Sequence, residues 1–188
     1  MGVVLALATS GAGCGSAGSS GQASADGSTK VAAVAAEDMW GSLLAQVAGD
    51  RVEVTSIIRD PAVDAHDYEA KPSDGVAVAD ARLVVVNGAG YDDWASKLVG
   101  ANPSSTRVVV DVGEVVGAER GDSPHRWHGP DEVHRVPAAR ATALQQASPD
   151  DAAYFDAQAA RLETEDLRAY DEAVARIRAA HAGTPIAV

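Results

Sequence analysis

The chain has a single cysteine, Cys14, so no disulfide can form within it. Beyond its first 13 residues it has no apolar run approaching the roughly 20 residues of a membrane-spanning helix. Basic residues are scarce, 15 Lys and Arg against 27 Asp and Glu, for a formal charge of −12. They form no cluster, which argues against a nucleic-acid partner, because phosphate recognition rests on concentrated Lys and Arg. There is no His-Glu-x-x-His helix of the kind that sets a general base beside a catalytic zinc. Val86-Asn87-Gly88-Ala89-Gly90 invites a dinucleotide reading, but the third glycine that close helix packing requires falls on Asp93. Two glycines after a strand then read as a tight turn.

Within 188 residues, of which 46% are hydrophobic, there is room for one ordinary domain with a sizeable core. Met1 to Gly13 is apolar and small, and Cys14 follows directly. That order suggests an export signal ending at a lipidated cysteine, with the start of the signal, and its missing Lys or Arg, lying upstream. The alternative is an unstructured amino terminus with a free thiol. Residues 15–29, dominated by Gly, Ser and Ala, read as a flexible tether.

From Lys30 the pattern alternates. Val31 to Ala35 reads as a buried strand, and Met39, Leu43, Leu44 and Val47 lie on one face of a helix stopped by Gly49. Arg51 to Ile58 is a second strand, residues 73–81 a helix, Leu83 to Asn87 a third strand, residues 92–99 a short helix and Arg107 to Val112 a fourth strand. Strands alternating with helices predict an α/β fold, a parallel sheet with helices on both faces. The glycines of residues 113–129 predict one long loop, and loops of that length are usually functional. Pro130 suits the first turn of a helix, while Pro137 inside it predicts a kink or an early break. From Ser148 to about His181, Phe155, Ala159, Leu162, Tyr170, Val174, Ile177 and His181 recur at threes and fours. Leu167 lies off that stripe, so the buried face shifts near Glu165. A helix of about 30 residues would be roughly 45 Å long.

Two loops carry the chemistry. Asp64-Ala65-His66-Asp67-Tyr68-Glu69-Ala70 follows the second strand, and Ser123-Pro124-His125-Arg126-Trp127-His128-Gly129-Pro130 follows the fourth. Carboxyl ends of strands are where open α/β sheets place ligand-binding side chains. An imidazole flanked by carboxylates, as His66 is by Asp64 and Asp67, suits a divalent transition metal. Alone, a surface histidine beside carboxylates is more often a solvated polar residue.

Together the two stretches resemble the zinc and manganese binding proteins of ABC importers, cluster A-I type. In that family Asp-Pro-His-x-Tyr-Glu-Pro and Asp-Pro-His-x-Trp-x-x-Pro each supply a metal-ligating histidine. His66 and His125 match; Ala65, Ala70 and Ser123 depart from the pattern. The resemblance extends through residues 48–54, 71–74, 83–88 and 149–155, in the family's order.

It implies a chain organised as follows: residues 1–14 a lipoprotein signal, 15–29 a linker, 30–147 the amino-terminal metal-binding lobe of a two-lobe periplasmic-binding-protein-like fold, 148–182 a long linking helix, and 183–188 the start of a second lobe. It also implies His66 and His125 as metal ligands and Zn2+ or Mn2+ as transported cargo; His128 and His134 occupy no family ligand position and are auxiliary candidates only by their place along the chain near His125. Histidine ligation favours zinc; Asp64, Asp67 and Glu69 keep manganese open. The implied partners are an ABC permease and a membrane reached through lipidated Cys14, and the implied location is the cell surface or periplasm. With the second lobe expected to be missing, two imidazoles alone should bind weakly, since zinc sites take four ligands, or three and water. The resemblance implies a solute-binding protein rather than an enzyme. Readings left beside it are a small zinc hydrolase using His66, His125 and a carboxylate, and a metal-free, membrane-anchored interaction module.

Overall fold

The computed structural model describes residues 30–185. The expected signal, Cys14 and linker, and residues 186–188 of the second-lobe start expected over 183–188, lie outside the described residues.

Four parallel strands form the centre: β1 (Val31–Glu37), β2 (Val52–Ile58), β3 (Leu83–Val86) and β4 (Val108–Asp111), in the order β2-β1-β3-β4. β1 and β3 lie inside the sheet and are covered on both faces, which is why they read as unbroken apolar runs. The edge strands are half exposed, with Val109 at 45%. Side chains alternate between faces with the pleat. Ala33, Ala35, Leu83, Val85 and Val110 pack with α1 (Asp38–Ala48), α5 (Pro130–Ala147) and α6 (Ala152–Arg161) around Trp40, Leu44, Val136, Leu144 and Phe155. Val34, Ala36, Val84 and Val86 pack on the other side with α2 (Pro72–Asp80) and α3 (Asp93–Ala101) around Val78, Trp94 and Ala95. This is the parallel sheet with helices on both faces that the alternating pattern implies.

The strand order makes β1 and β3 neighbours, with β2 and β4 outside them. The chain therefore leaves β1 toward one edge and β3 toward the other, which opens a crevice at their carboxyl ends.

Three local expectations are corrected. The loop expected over 113–129 begins with a short helix, α4 (Val112–Val116), and contains a 3-10 turn at Arg126–His128. Asp111 caps α4, its Oδ1 accepting from the Glu114 N–H at 3.1 Å, and Gly117 ends it at φ 74°. Asp111-Val112-Gly113-Glu114 carried that capping signal in plain sequence. The early break, one of the two outcomes expected at Pro137, does not occur, and α5 runs on to Ala147. The proline is buried with Val133, Val136 and Leu144, and that packing outweighs the roughly 3 kcal/mol of an interior proline. The single long helix is interrupted: a 3-10 turn (Pro149–Asp151), α6, a π-helical turn (Leu162–Asp166) and α7 (Arg168–His181) follow one another. The π turn, where Leu167 N–H bonds the Leu162 carbonyl at 2.9 Å, moves the register so that Leu162 and Leu167 both reach the core. That is the physical form of the face shift expected near Glu165. No helix of the described residues is long and apolar enough to cross a membrane.

Candidate metal site

The loop after β2 is shaped by its own acidic side chains. Asp60 Oδ1 accepts from the Ala62 N–H and Asp64 Oδ1 from the His66 N–H, each at 2.9 Å. Asp64 thus turns the backbone at His66, leaving the imidazole free to face the sheet edge. Ala65 is buried against the core, and Tyr68 pins the far end of the loop by donating to Asp74 Oδ2 at 2.9 Å. The same carboxylate oxygen accepts from the Lys71 N–H at 2.8 Å, at the start of α2. Burial, and then the Asp74 carboxylate, push the Tyr68 phenol up to about 12.

His125 is positioned through Asn87, which is fully buried at the end of β3. Asn87 Nδ2 donates to the Pro124 carbonyl at 3.0 Å, and its Oδ1 accepts from Trp40 Nε1 at 2.7 Å. The Asn87 and Gly88 N–H groups donate to the two Asp92 oxygens at 2.6 and 2.8 Å. Gly88, Ala89 and Gly90 all take positive φ, 71°, 53° and 87°, so the chain turns sharply back and delivers Tyr91 to the crevice.

These two loops bring His66 and His125 together. Their ring centroids are 6.3 Å apart with planes at 76°. Tyr91 lies beside both, 4.7 Å from His66 and 5.6 Å from His125. Trp127 stacks 5.1 Å from both Tyr91 and His125. Two imidazoles holding one zinc tetrahedrally would have centroids about 5 Å apart, given Zn–N bonds of about 2.05 Å. The observed pair needs to close by about 1 Å.

His128 lies on the same side, 6.4 Å from His125 and 5.3 Å from Trp127. His134 does not join them. It is drawn to the helices after α5, Nδ1 lying 2.7 Å from Glu163 Oε2 and Nε2 2.8 Å from Asp171 Oδ1. Both its nitrogens are occupied, so the sequence-based expectation that it shares the space of His66 and His125 gives way to a different role. Among the described residues no group of three or more His, Cys, Asp and Glu side chains is arranged to hold a metal ion.

A cleft of about 420 Å³ opens next to the pair, lined by Glu37, Ile58, Asp60, Tyr91 and Trp127 among others. Glu37, the last residue of β1, is 1% exposed, and among the described residues neither carboxyl oxygen has a hydrogen-bond partner. Burial, followed by the nearby Asp92 carboxylate, pushes it up to about 9, so it is a neutral acid at pH 7. Burial also raises Asp92, to about 6, against the pull of the N–H bonds it accepts from Asn87 and Gly88. Sequence reasoning missed Glu37, Tyr91 and Asp92. Nothing in a strand's last residue announces that it will be buried.

Comparison with known proteins agrees with the fold. The family described as ZnuA, zinc-uptake complex component A, periplasmic, matches residues 33–188. A manganese-binding lipoprotein, MntA, of Halalkalibacterium halodurans is 31% identical over 162 residues, covering 84% of this chain and 52% of its own. Among solved structures, Zn(II)-bound AdcA from Streptococcus pneumoniae superposes with a TM-score of 0.66 at 22% identity, over 79% of this chain and 32% of that one. The Mn-bound periplasmic metal binding protein of Candidatus Liberibacter asiaticus gives 0.62 at 20%, over 80% and 55%. At those identities the two structures speak to the fold. The chain spans about half the length of the manganese-binding relative and of the Liberibacter protein, and about a third of AdcA.

Proposed function

The chain belongs to the ZnuA family of periplasmic zinc-uptake components, and from that premise we propose that it is the metal-binding lobe of an extracytoplasmic solute-binding protein serving a zinc or manganese importer. The family is one of binding proteins rather than enzymes. The observation that carries the reading is the approach of His66 and His125, from loops after the two outer strands, to a ring separation of 6.3 Å. Imidazole nitrogens suit zinc better than manganese. Zn2+ is therefore the preferred cargo, with Mn2+ the alternative that the carboxylates of the first loop would assist. His128 stands as an auxiliary ligand that a small loop movement would recruit.

In this reading the cation arrives at the sheet edge, loses part of its water shell to the two imidazoles, and completes its coordination with water or with groups outside the described residues. Tyr91 and Trp127 exclude solvent from one side of the rings and fix their orientation. Export, a lipid anchor on Cys14, the linking role of residues 148–182 and delivery to an ABC permease are parts of the same proposal.

Calorimetric titration of ZnCl2 and MnCl2 into the chain tests it. Saturable zinc binding that weakens about tenfold or more in both His66→Ala and His125→Ala is expected. Zinc affinity unchanged by either substitution would remove the histidine pair from the site.

A further inference from the structure

His134 projects from the second turn of α5 into a gap between two carboxylates that belong to different elements. Glu163, on the π turn, faces Nδ1, and Asp171, on α7, faces Nε2. An ionised carboxylate only accepts hydrogen bonds, and a neutral imidazole carries only one N–H. Both contacts are satisfied only by the doubly protonated ring. The three groups are arranged in series, with the ring between the oxygens, so they do not surround a common point as metal ligands must.

What the bridge secures is α7. That helix has no fully buried residue, and its Ile177 is 61% exposed. Little apolar burial therefore holds it. Its base is anchored by Leu167, immediately after the π turn where the helical register is reset. Farther along, Val174 and Ile177 face Trp127 and His128 across a groove of about 370 Å³. α7 thus lies across that groove from the loop that carries His125.

We propose that His134, Glu163 and Asp171 form a proton-dependent latch that holds α7 against the lobe when the imidazole is charged and releases it when the ring becomes neutral. Other groups face the same spot. Tyr170, on α7, lies 6.4 Å from the ring, and Glu132 on α5 and Arg178 on α7 act on that tyrosine with opposite signs. The hydrogen bond to Glu163 raises the His134 pKa most, burial opposes it, and the bond to Asp171 adds to the rise. For a histidine whose folded value is raised, the contribution is complete below the unfolded value and is lost as pH climbs through the folded one. The latch is therefore complete below the ordinary histidine value of 6.5 and opens only above it.

Nitrogen-15 NMR of the histidine rings, together with amide hydrogen exchange in residues 168–181 between pH 6 and 9, tests this on the full chain. At pH 6 both His134 nitrogens should carry protons. Exchange protection of α7, corrected for intrinsic rates, should fall as pH climbs through the titration, tenfold for each unit by which the folded pKa exceeds the unfolded one. In His134→Gln protection should be low and flat with pH. In Asp171→Asn, which keeps the Glu163 contact, it should be reduced and its pH dependence blunted. Amides of β1 and β3 report whether a variant has lost the fold; if His134→Gln has, the Asp171→Asn comparison decides. A singly protonated ring at pH 6, or α7 protection indifferent to pH in the unsubstituted chain, overturns the latch.

Discussion

Replacing Gly88 with alanine should strike the turn that presents Tyr91 to the histidine pair, and its cost can be built from separate pieces. Gly88 has φ 71°, a left-handed conformation that costs an L-residue about 1–2 kcal/mol. A Cβ there would overlap the Asp111 carboxylate, which must swing aside. Asp111 Oδ1 is the cap of α4, so moving it forfeits about 1 kcal/mol more. The sum is about 2–3 kcal/mol, or a fall in Tm of roughly 5–10 °C for a chain of this size. Asp111→Ala by itself should cost about 1 kcal/mol, the cap alone. The double variant should cost no more than Gly88→Ala, because the cap is lost in both, leaving a coupling of about 1 kcal/mol in urea denaturation. Strict additivity of the two substitutions would refute the claim that the alanine acts by displacing Asp111. Because the neighbouring Asn87 holds the Pro124 carbonyl, zinc affinity should fall together with stability.

Two buried ionisable groups offer further tests. Glu37 is raised from 4.5 to about 9, so its contribution to stability is complete below the lower value and is lost as pH rises toward the upper one. The slope reaches about 1.4 kcal/mol per pH unit, and Glu37→Gln should flatten it in urea midpoints measured at pH 5, 7 and 9; an unchanged slope would place the titrating group elsewhere. Arg140 is fully buried on α5, with no hydrogen-bond partner for its three side-chain nitrogens among the described residues and its guanidinium 5.1 Å above the Trp40 ring. Burial lowers it to about 9. Arg140→Met should raise stability by about 1–4 kcal/mol, less up to about 2 for the lost stacking on Trp40. A lower melting temperature in Arg140→Met would show that the guanidinium has a partner worth more than its desolvation.

The strands were legible because β1 and β3 are covered on both sides and therefore uniformly apolar, while Gly, Asn and Pro mark the breaks between elements. The short α4 was not, since valines separated by a glycine carry no helical period; only the Asp111 cap betrays it. Pro137 misled for the opposite reason: the local penalty is real, and packing of a long buried face overrides it. His66 and His125 stood out as loop residues after strands. His134 read as an auxiliary candidate near them, because spacing along a chain cannot say which way a helix will turn a side chain.

Sequence alone therefore determined the alternation of elements and the parallel sheet, which follow from short-range patterns of polarity and turn chemistry. Tertiary structure decided which groups meet. The order β2-β1-β3-β4 places Glu37 and Tyr91 between the histidine loops, and the π turn carries Glu163 and Asp171 to His134. Those encounters join residues far apart in the chain, and they depend on strand order, burial and helical register summed over the whole fold, which no local stretch of sequence contains.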